Sequence, residues 1–212
     1  LKEAYYTVDH VHSAAMELLG ELQSFHPKAK QPGEINGNTA LLVTDMQQYF
    51  TAPSSHAFVP STPAIIPIIQ SLVDAFSLSG LMVVFTQHYD KEESNSMMTR
   101  WWPRHLDRMK EDFKICKDLN IPDSAIIIEK TEYDAFEETN LKKVLDSREI
   151  DTLIVCGVMT NLCCETTVRS AFVKGYQVFM PIDATATYNR QFHMGSFLNL
   201  TFGFMPLRLT EQ

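Results

Sequence analysis

Three side chains in this sequence, read together, have the makings of acyl-transfer chemistry. Asp45 closes the apolar run TALLVTD (39–45), Lys130 closes SAIIIEK (124–130), and Cys163 follows the turn VMTNL after DTLIVCG (151–157). A thiol with a pKa of about 8.5 is mostly protonated at neutral pH, so it needs a base before it can attack a carbonyl. A carboxylate can take that proton, and an ammonium can hold the thiolate while keeping the acid ionised. Free N–H groups in the turn 158–163, at the start of a helix, suit an oxyanion and favour an anionic sulfur. Cys164 stands next to Cys163, which raises the question of which thiol reacts. A disulfide between neighbours would be strained. Cys164 is therefore assigned to packing, together with Cys156 and Cys116.

These residues can meet only if the elements that carry them share a sheet edge. From Thr39 onward, apolar β-branched runs alternate with helical stretches. The expected strands are 39–45, 81–86, 124–130, 151–157, 176–183 and 203–210, and the expected helices are 10–25, 65–80, 136–150, 161–175 and about 189–202. Runs that read as buried on both faces, alternating with helices, predict an α/β fold. The expected form is three-layer and doubly wound, a mostly parallel Rossmann-like sheet of six strands with helices on both faces. In such sheets ligands bind at the carboxyl ends of the strands, where Asp45, His88, Lys130, Cys163 and Asp183 all fall. Residues 1–38 read as an N-terminal helix and loop extension, and residues 39–212 as the catalytic domain. The stretch 87–117 is long for a connection, which points to a functional or mobile loop.

Composition sets outer limits. Among 212 residues, 26 are Asp or Glu and 18 are Lys or Arg, a net charge of −8 that argues against nonspecific binding to nucleic acid or anionic membrane. No apolar run approaches the roughly 20 residues of a membrane helix. The first residues, LKEAYYTVDH, show no basic-then-apolar leader. Four cysteines without a CxxC pair suggest a reduced, cytoplasmic compartment. The expected partner is a small-molecule substrate, and the Trp-bearing acidic surface with the N-terminal helix suggests a homodimer or homotetramer.

Three blocks in order resemble the isochorismatase-like cysteine hydrolases, which include nicotinamidases and related small-amide hydrolases. They are ALLVTDMQQYF (40–50), IIIEKTEYDAFEETNL (126–141) and CGVMTNLCCETTVRSAFVKGYQVFMPIDATAT (156–187). The resemblance implies that Asp45 is the base, Lys130 its electrostatic partner and Cys163 the nucleophile. It also implies a cis peptide at Val158–Met159, with the Met159 and Cys163 amides as oxyanion donors. The implied activity is hydrolysis of a small amide or related C–N acyl substrate through a thioester. Members that cleave an enol ether typically carry Gly where this chain has Cys163, so enol-ether hydrolysis stands as the alternative. A binding or assembly module that kept the fold is the non-enzymatic alternative. Nicotinamidases bind a metal through Asp-x-His after the second strand, with a further His. Here the stretch reads Gln87-His88-Tyr89-Asp90, with the order reversed. No metal or cofactor is expected, and Zn²⁺ at His88 and Asp90 is the alternative.

Phe50 and Tyr133 follow strand-end positions and are expected in the pocket wall, with His88 facing the site. Trp101 and Trp102 are adjacent and point opposite ways in an extended segment. Trp101 is assigned to the pocket. Thr160 and Asn161, in the turn, complete the expected substrate-binding set. Cys163 and Arg169 have the spacing of a phosphatase loop, but CETTV between them has no glycine and an acid that would repel phosphate. His10, His12, His26 and His193 are assigned no role.

Overall fold

The computed structural model describes residues 1–25, 35, 37–91, 96–102 and 104–211. Most of the expected loop 26–38, His26 with it, lies outside the described residues, as do 92–95 and 103 of the long connection. In chain order the elements are α1 (Val11–Phe25), β1 (Thr39–Thr44), α2 (Gln48–Thr51), α3 (Thr62–Leu78), β2 (Met82–His88), α4 (Met97–Trp101), β3 (Ile126–Lys130) and α5 (Leu141–Asp146). They continue with β4 (Thr152–Val158), α6 (Glu165–Val173), β5 (Gln177–Phe179), β6 (Thr185–Ala186) and α7 (Arg190–Gly203).

The sheet runs β3-β2-β1-β4-β5, and β6 also pairs with β4. Every strand pairing within it is parallel. The chain therefore winds outward from β1 to β3, then crosses to β4 and β5 on the other side. Right-handed crossovers put α3 on one face and α5 and α6 on the opposite one. Every residue of β1 and β4 is buried, as expected for central strands covered on both faces. The edge strand β3 departs from that expectation. Ile127 and Glu129 are exposed while Ile128 and Lys130 are buried, and this alternation turns Lys130 inward.

Three boundaries differ from the sequence reading, each for a local reason. The helix expected from 136 begins at Leu141, because Glu138 has φ +52°, a left-handed conformation that no helix accommodates. The strand expected over 176–183 stops at Phe179. Pro181 offers no N–H, a tight turn spans Ile182–Ala184, and pairing resumes at β6 opposite Gly157 and Val158. The strand expected over 203–210 does not form. Helix α7 runs to Gly203, and Pro206 lies in the segment beyond, which reaches the turn through bonds such as Ile182 N–H to the Arg208 carbonyl at 3.0 Å. The sixth strand is thus β6, not the C-terminal segment.

Helix α1 buries Val11, Ala15, Leu18, Leu19 and Leu22, one stripe at helical spacing, within the same core as the sheet. It packs on α7 and on the Ile182–Ala184 turn. Among the described residues no helix is long and apolar enough to cross a membrane.

Candidate active site

The strand order reverses between β1 and β4, so a crevice is expected outside their carboxyl ends. The register pairs Thr44 with Gly157 there. A Cβ at Gly157 would lie 2.1 Å from the Thr44 carbonyl oxygen, and the residue has φ +107°, so only glycine fits this close approach. Asp45 follows with φ +50°, a left-handed conformation rare outside Gly, Asn and Asp. Such backbone is held in place by its surroundings, and here those are specific. Thr86 on β2 accepts the Asp45 N–H at 3.1 Å and donates to Asp45 Oδ1 at 2.6 Å.

Lys130 Nζ lies 2.7 Å from Asp45 Oδ2, and neither side chain has any exposed surface. The ammonium also donates to the Glu132 carbonyl at 2.9 Å. The Cys163 thiol is buried beside them, near enough that both Asp45 and Lys130 influence its ionisation. The three candidate catalytic side chains, from the ends of β1, β3 and β4, therefore form one cluster. Burial opposes every charge in it. For Asp45 that penalty is outweighed by Lys130, with His88 and Thr86 adding to the effect, so its carboxyl stays below the usual carboxylate range. Burial likewise works against the Lys130 ammonium, but Asp45 and Cys163 more than offset it and hold it charged. Burial pushes the Cys163 thiol up to about 12, with Lys130 pulling the other way and Asp45 reinforcing the rise. The resting state is a protonated thiol beside an ionised carboxylate. Cys164 is raised by burial as well and lies in the core.

The turn before Cys163 is wide. Cys164 N–H donates to the Met159 carbonyl five residues back at 3.2 Å, and α6 begins only at Glu165. Single wide turns of this kind recur at functional sites. The Val158–Met159 peptide is cis, as the resemblance implied. Met159 and Cys163 both line the pocket. Thr160 and Asn161 do not. Thr160 is fully buried with its hydroxyl 2.9 Å from His193 Nδ1, and Asn161 Oδ1 accepts from the Thr187 hydroxyl at 2.5 Å. Both brace the turn from behind instead of facing a ligand.

His193 therefore has a place in the site's support that its sequence position did not reveal. Its Nε2 lies 3.2 Å from the Ile182 carbonyl, which only accepts, so Nε2 carries the proton and Nδ1 accepts from Thr160. Burial lowers its pKa to about 3, so it stays neutral. Gln47 is a second supporting residue missed from sequence. Its amide donates to the His88 and Phe113 carbonyls at 2.9 and 2.8 Å and accepts the His88 N–H at 2.8 Å, which locks the end of β2 to the end of β1. A buried amide just past a buried strand was the available signal. Asp183, grouped with the strand ends from sequence, instead accepts from the Thr210 N–H and hydroxyl and ties down the C-terminal segment.

The pocket above Cys163 is a cavity of about 110 Å³. Phe50, His88 and Tyr133 line it as expected. Trp101 does not: it sits at the end of α4, 69% exposed. Trp102, where the helix stops, lines the cavity and donates its indole N–H to the Tyr133 hydroxyl at 2.7 Å. Tyr49, His56, Met98 and Tyr188 also line the cavity, unmarked by any sequence pattern. Arg169, of the phosphatase-like spacing, donates to Glu165 on its own helix at 2.8 Å.

His88 and Asp90, the candidate metal ligands from sequence, stand side by side in the pocket wall. His88 Nε2 lies 3.5 Å from Asp90 Oδ1, while Asp90 Oδ2 accepts the Leu106 N–H at 2.6 Å. No group of three His, Cys, Asp or Glu side chains placed to hold a metal ion occurs among the described residues.

Comparison with known proteins is consistent with this geometry. Residues 39–212 match the Isochorismatase domain family. Nicotinamidase 3 of Arabidopsis thaliana is 36% identical over 173 residues, covering 79% of this chain and 83% of the relative. The crystal structure of a cysteine hydrolase from Pseudomonas syringae pv. phaseolicola superposes with a TM-score of 0.81 at 30% identity, covering 86% of this chain and 93% of that one. Pyrazinamidase of Pyrococcus horikoshii, solved in complex with zinc, gives 0.74 at 26% identity, covering 81% and 99%. The strand order, the strand-end site and these matches lead to one conclusion: the chain is a hydrolase of the isochorismatase family.

Proposed function

We propose that this enzyme hydrolyses a small amide through a thioester on Cys163. The observation that carries the reading is the buried cluster of Cys163, Asp45 and Lys130 beneath an aromatic pocket. The Cys163 proton passes to Asp45, and the sulfur attacks the amide carbonyl carbon. Negative charge that develops on the oxygen is met by the Met159 and Cys163 N–H groups. The C–N bond then breaks, and Asp45 returns its proton to the leaving nitrogen. Water enters, gives a proton to Asp45 and attacks the thioester, and the carboxylic acid leaves as the thiol is reprotonated. Lys130 does not exchange a proton in this scheme. It keeps Asp45 ionised at the start and lowers the cost of the thiolate.

Phe50, Trp102 and Tyr133 present aromatic surface around a small cavity, which suits a compact planar amide. The nicotinamidase relative points to the same substrate class. The test is a panel of nicotinamide, simple ureides and isochorismate, read by ammonia release and product formation, with intact mass of the enzyme under turnover. Ammonia release from an amide together with an acyl adduct on Cys163 is expected. Cleavage of isochorismate alone, or turnover that survives Cys163→Ala, would sink the reading.

A further inference from the structure

The first six residues precede the family-matched domain, yet their polar contacts fall on the segments that shape the catalytic pocket. Lys2 Nζ donates to the His56 and Phe58 carbonyls at 2.6 and 2.9 Å. The same ammonium stands 4.2 Å from the centroid of the Tyr188 ring. His56 and Tyr188 both line the cavity above Cys163, although 132 positions separate them in the chain. One cation thus joins two walls of the pocket. The join is reinforced on the Tyr188 side, where Glu3 N–H donates to the Tyr188 carbonyl at 2.8 Å and Glu3 Oε1 accepts the Arg190 N–H at 2.8 Å.

Three residues further on, the segment reaches the nucleophile turn. The Tyr5 hydroxyl accepts the Thr187 N–H at 3.0 Å. Thr187 in turn donates to Asn161. Tyr6 donates its hydroxyl to the Ile182 carbonyl at 3.2 Å, beside the His193 ring that holds Thr160.

We propose that Leu1–Tyr6 form part of the active site, in which Lys2 positions the pocket wall made by His56 and Tyr188 and Tyr5 positions the turn that presents Cys163. The attachment of the segment does not depend on these polar groups. Tyr6 is buried in the core, and α1 behind it contributes a full apolar stripe. Removing the Lys2 charge therefore frees the wall without detaching the segment. Loss of a cation that holds two carbonyls and an aromatic face loosens ground-state binding, whereas loss of the Tyr5 hydroxyl loosens the oxyanion turn and acts on the chemical step. The inference rests on the proposed role of Cys163 as nucleophile.

The test compares Lys2→Met, Lys2→Arg and Tyr5→Phe in the full chain, with nicotinamide as substrate and, separately, alkylation of Cys163 by iodoacetamide followed by intact mass. Lys2→Met is expected to raise the nicotinamide KM roughly fivefold with kcat within about twofold, and Lys2→Arg to restore it. Tyr5→Phe is expected to lower kcat roughly fivefold with little change in KM. Melting temperatures should stay within about 3 °C of the parent. If the parent does not turn over nicotinamide, the same split is read from the half-saturating concentration and limiting rate of alkylation, so a wrong substrate is distinguished from a wrong strap. The proposal is overturned if neither variant shifts its parameter. It is equally overturned if losses follow melting temperature and Lys2→Arg does not rescue.

Discussion

The floor and the rim of the pocket are built on different principles. The floor consists of Lys130, the last residue of β3, with Asp45 one step beyond β1 and Cys163 one turn beyond β4. Its geometry follows from strand order and register, and its side chains are buried, with Asp45 and Lys130 paired as ions. The rim comes from segments far apart in the chain, around Tyr49, His56, Trp102, Tyr133 and Tyr188. It is held by single hydrogen bonds and ring contacts such as Trp102 to Tyr133 and Lys2 to Tyr188. A change in the floor should strike chemistry, and folding as well where it breaks the buried ion pair, whereas a change in the rim should alter binding and spare the chemistry.

The sharpest break in that comparison is Cys163→Ala, expected to reduce amide turnover by roughly 10³-fold or more while the far-UV circular dichroism stays native. Cys164→Ala, one position on, should keep turnover within about threefold, since its thiol packs in the core. Equal losses in the two variants would assign the wrong sulfur.

Next in size is Lys130→Met. It leaves the buried Asp45 carboxylate uncompensated and should cost roughly 3–5 kcal/mol in urea unfolding. A loss below about 1 kcal/mol would show that water reaches this pair and that the floor is not sealed. At the rim, Trp102→Ala should raise KM about tenfold by removing a pocket face and the partner of the Tyr133 hydroxyl. Trp101→Ala should leave both kinetic constants within about twofold of the parent. The reverse order would move the wall to the other tryptophan.

The smallest effect is a slope. The folded chain keeps His193 neutral down to about pH 3. The unfolded chain protonates it near pH 6.5, so between these values the unfolded state binds the extra proton. Stability therefore falls as pH drops through that window, by up to about 1.4 kcal/mol per unit from this group. His193→Gln should flatten the urea midpoint between about pH 6.5 and 4, above the range where Asp45 protonates. An unflattened profile would place the proton-linked loss elsewhere.

Legibility divides along the same line. The alternation of apolar runs and helical stretches identified the doubly wound sheet, and a strand-end acid, lysine and cysteine identified the candidate floor, because period and position relative to a strand end are local properties. Even so, Glu138 in a left-handed conformation shortened a helix, and Pro181 split a strand so that the sixth pairing came from Thr185 and Ala186.

The sequence by itself therefore determined the alternation of strands and helices from β1 to β5, the family and which residues stand at the carboxyl edge of the sheet. Only the tertiary structure decided that Trp102 faces inward, that Thr160 and Asn161 brace the turn, that His193 holds Thr160, and that Lys2 reaches the pocket wall. Those outcomes depend on where a helix stops or on partners between 26 and 56 positions apart, and no local pattern encodes contacts at such separations.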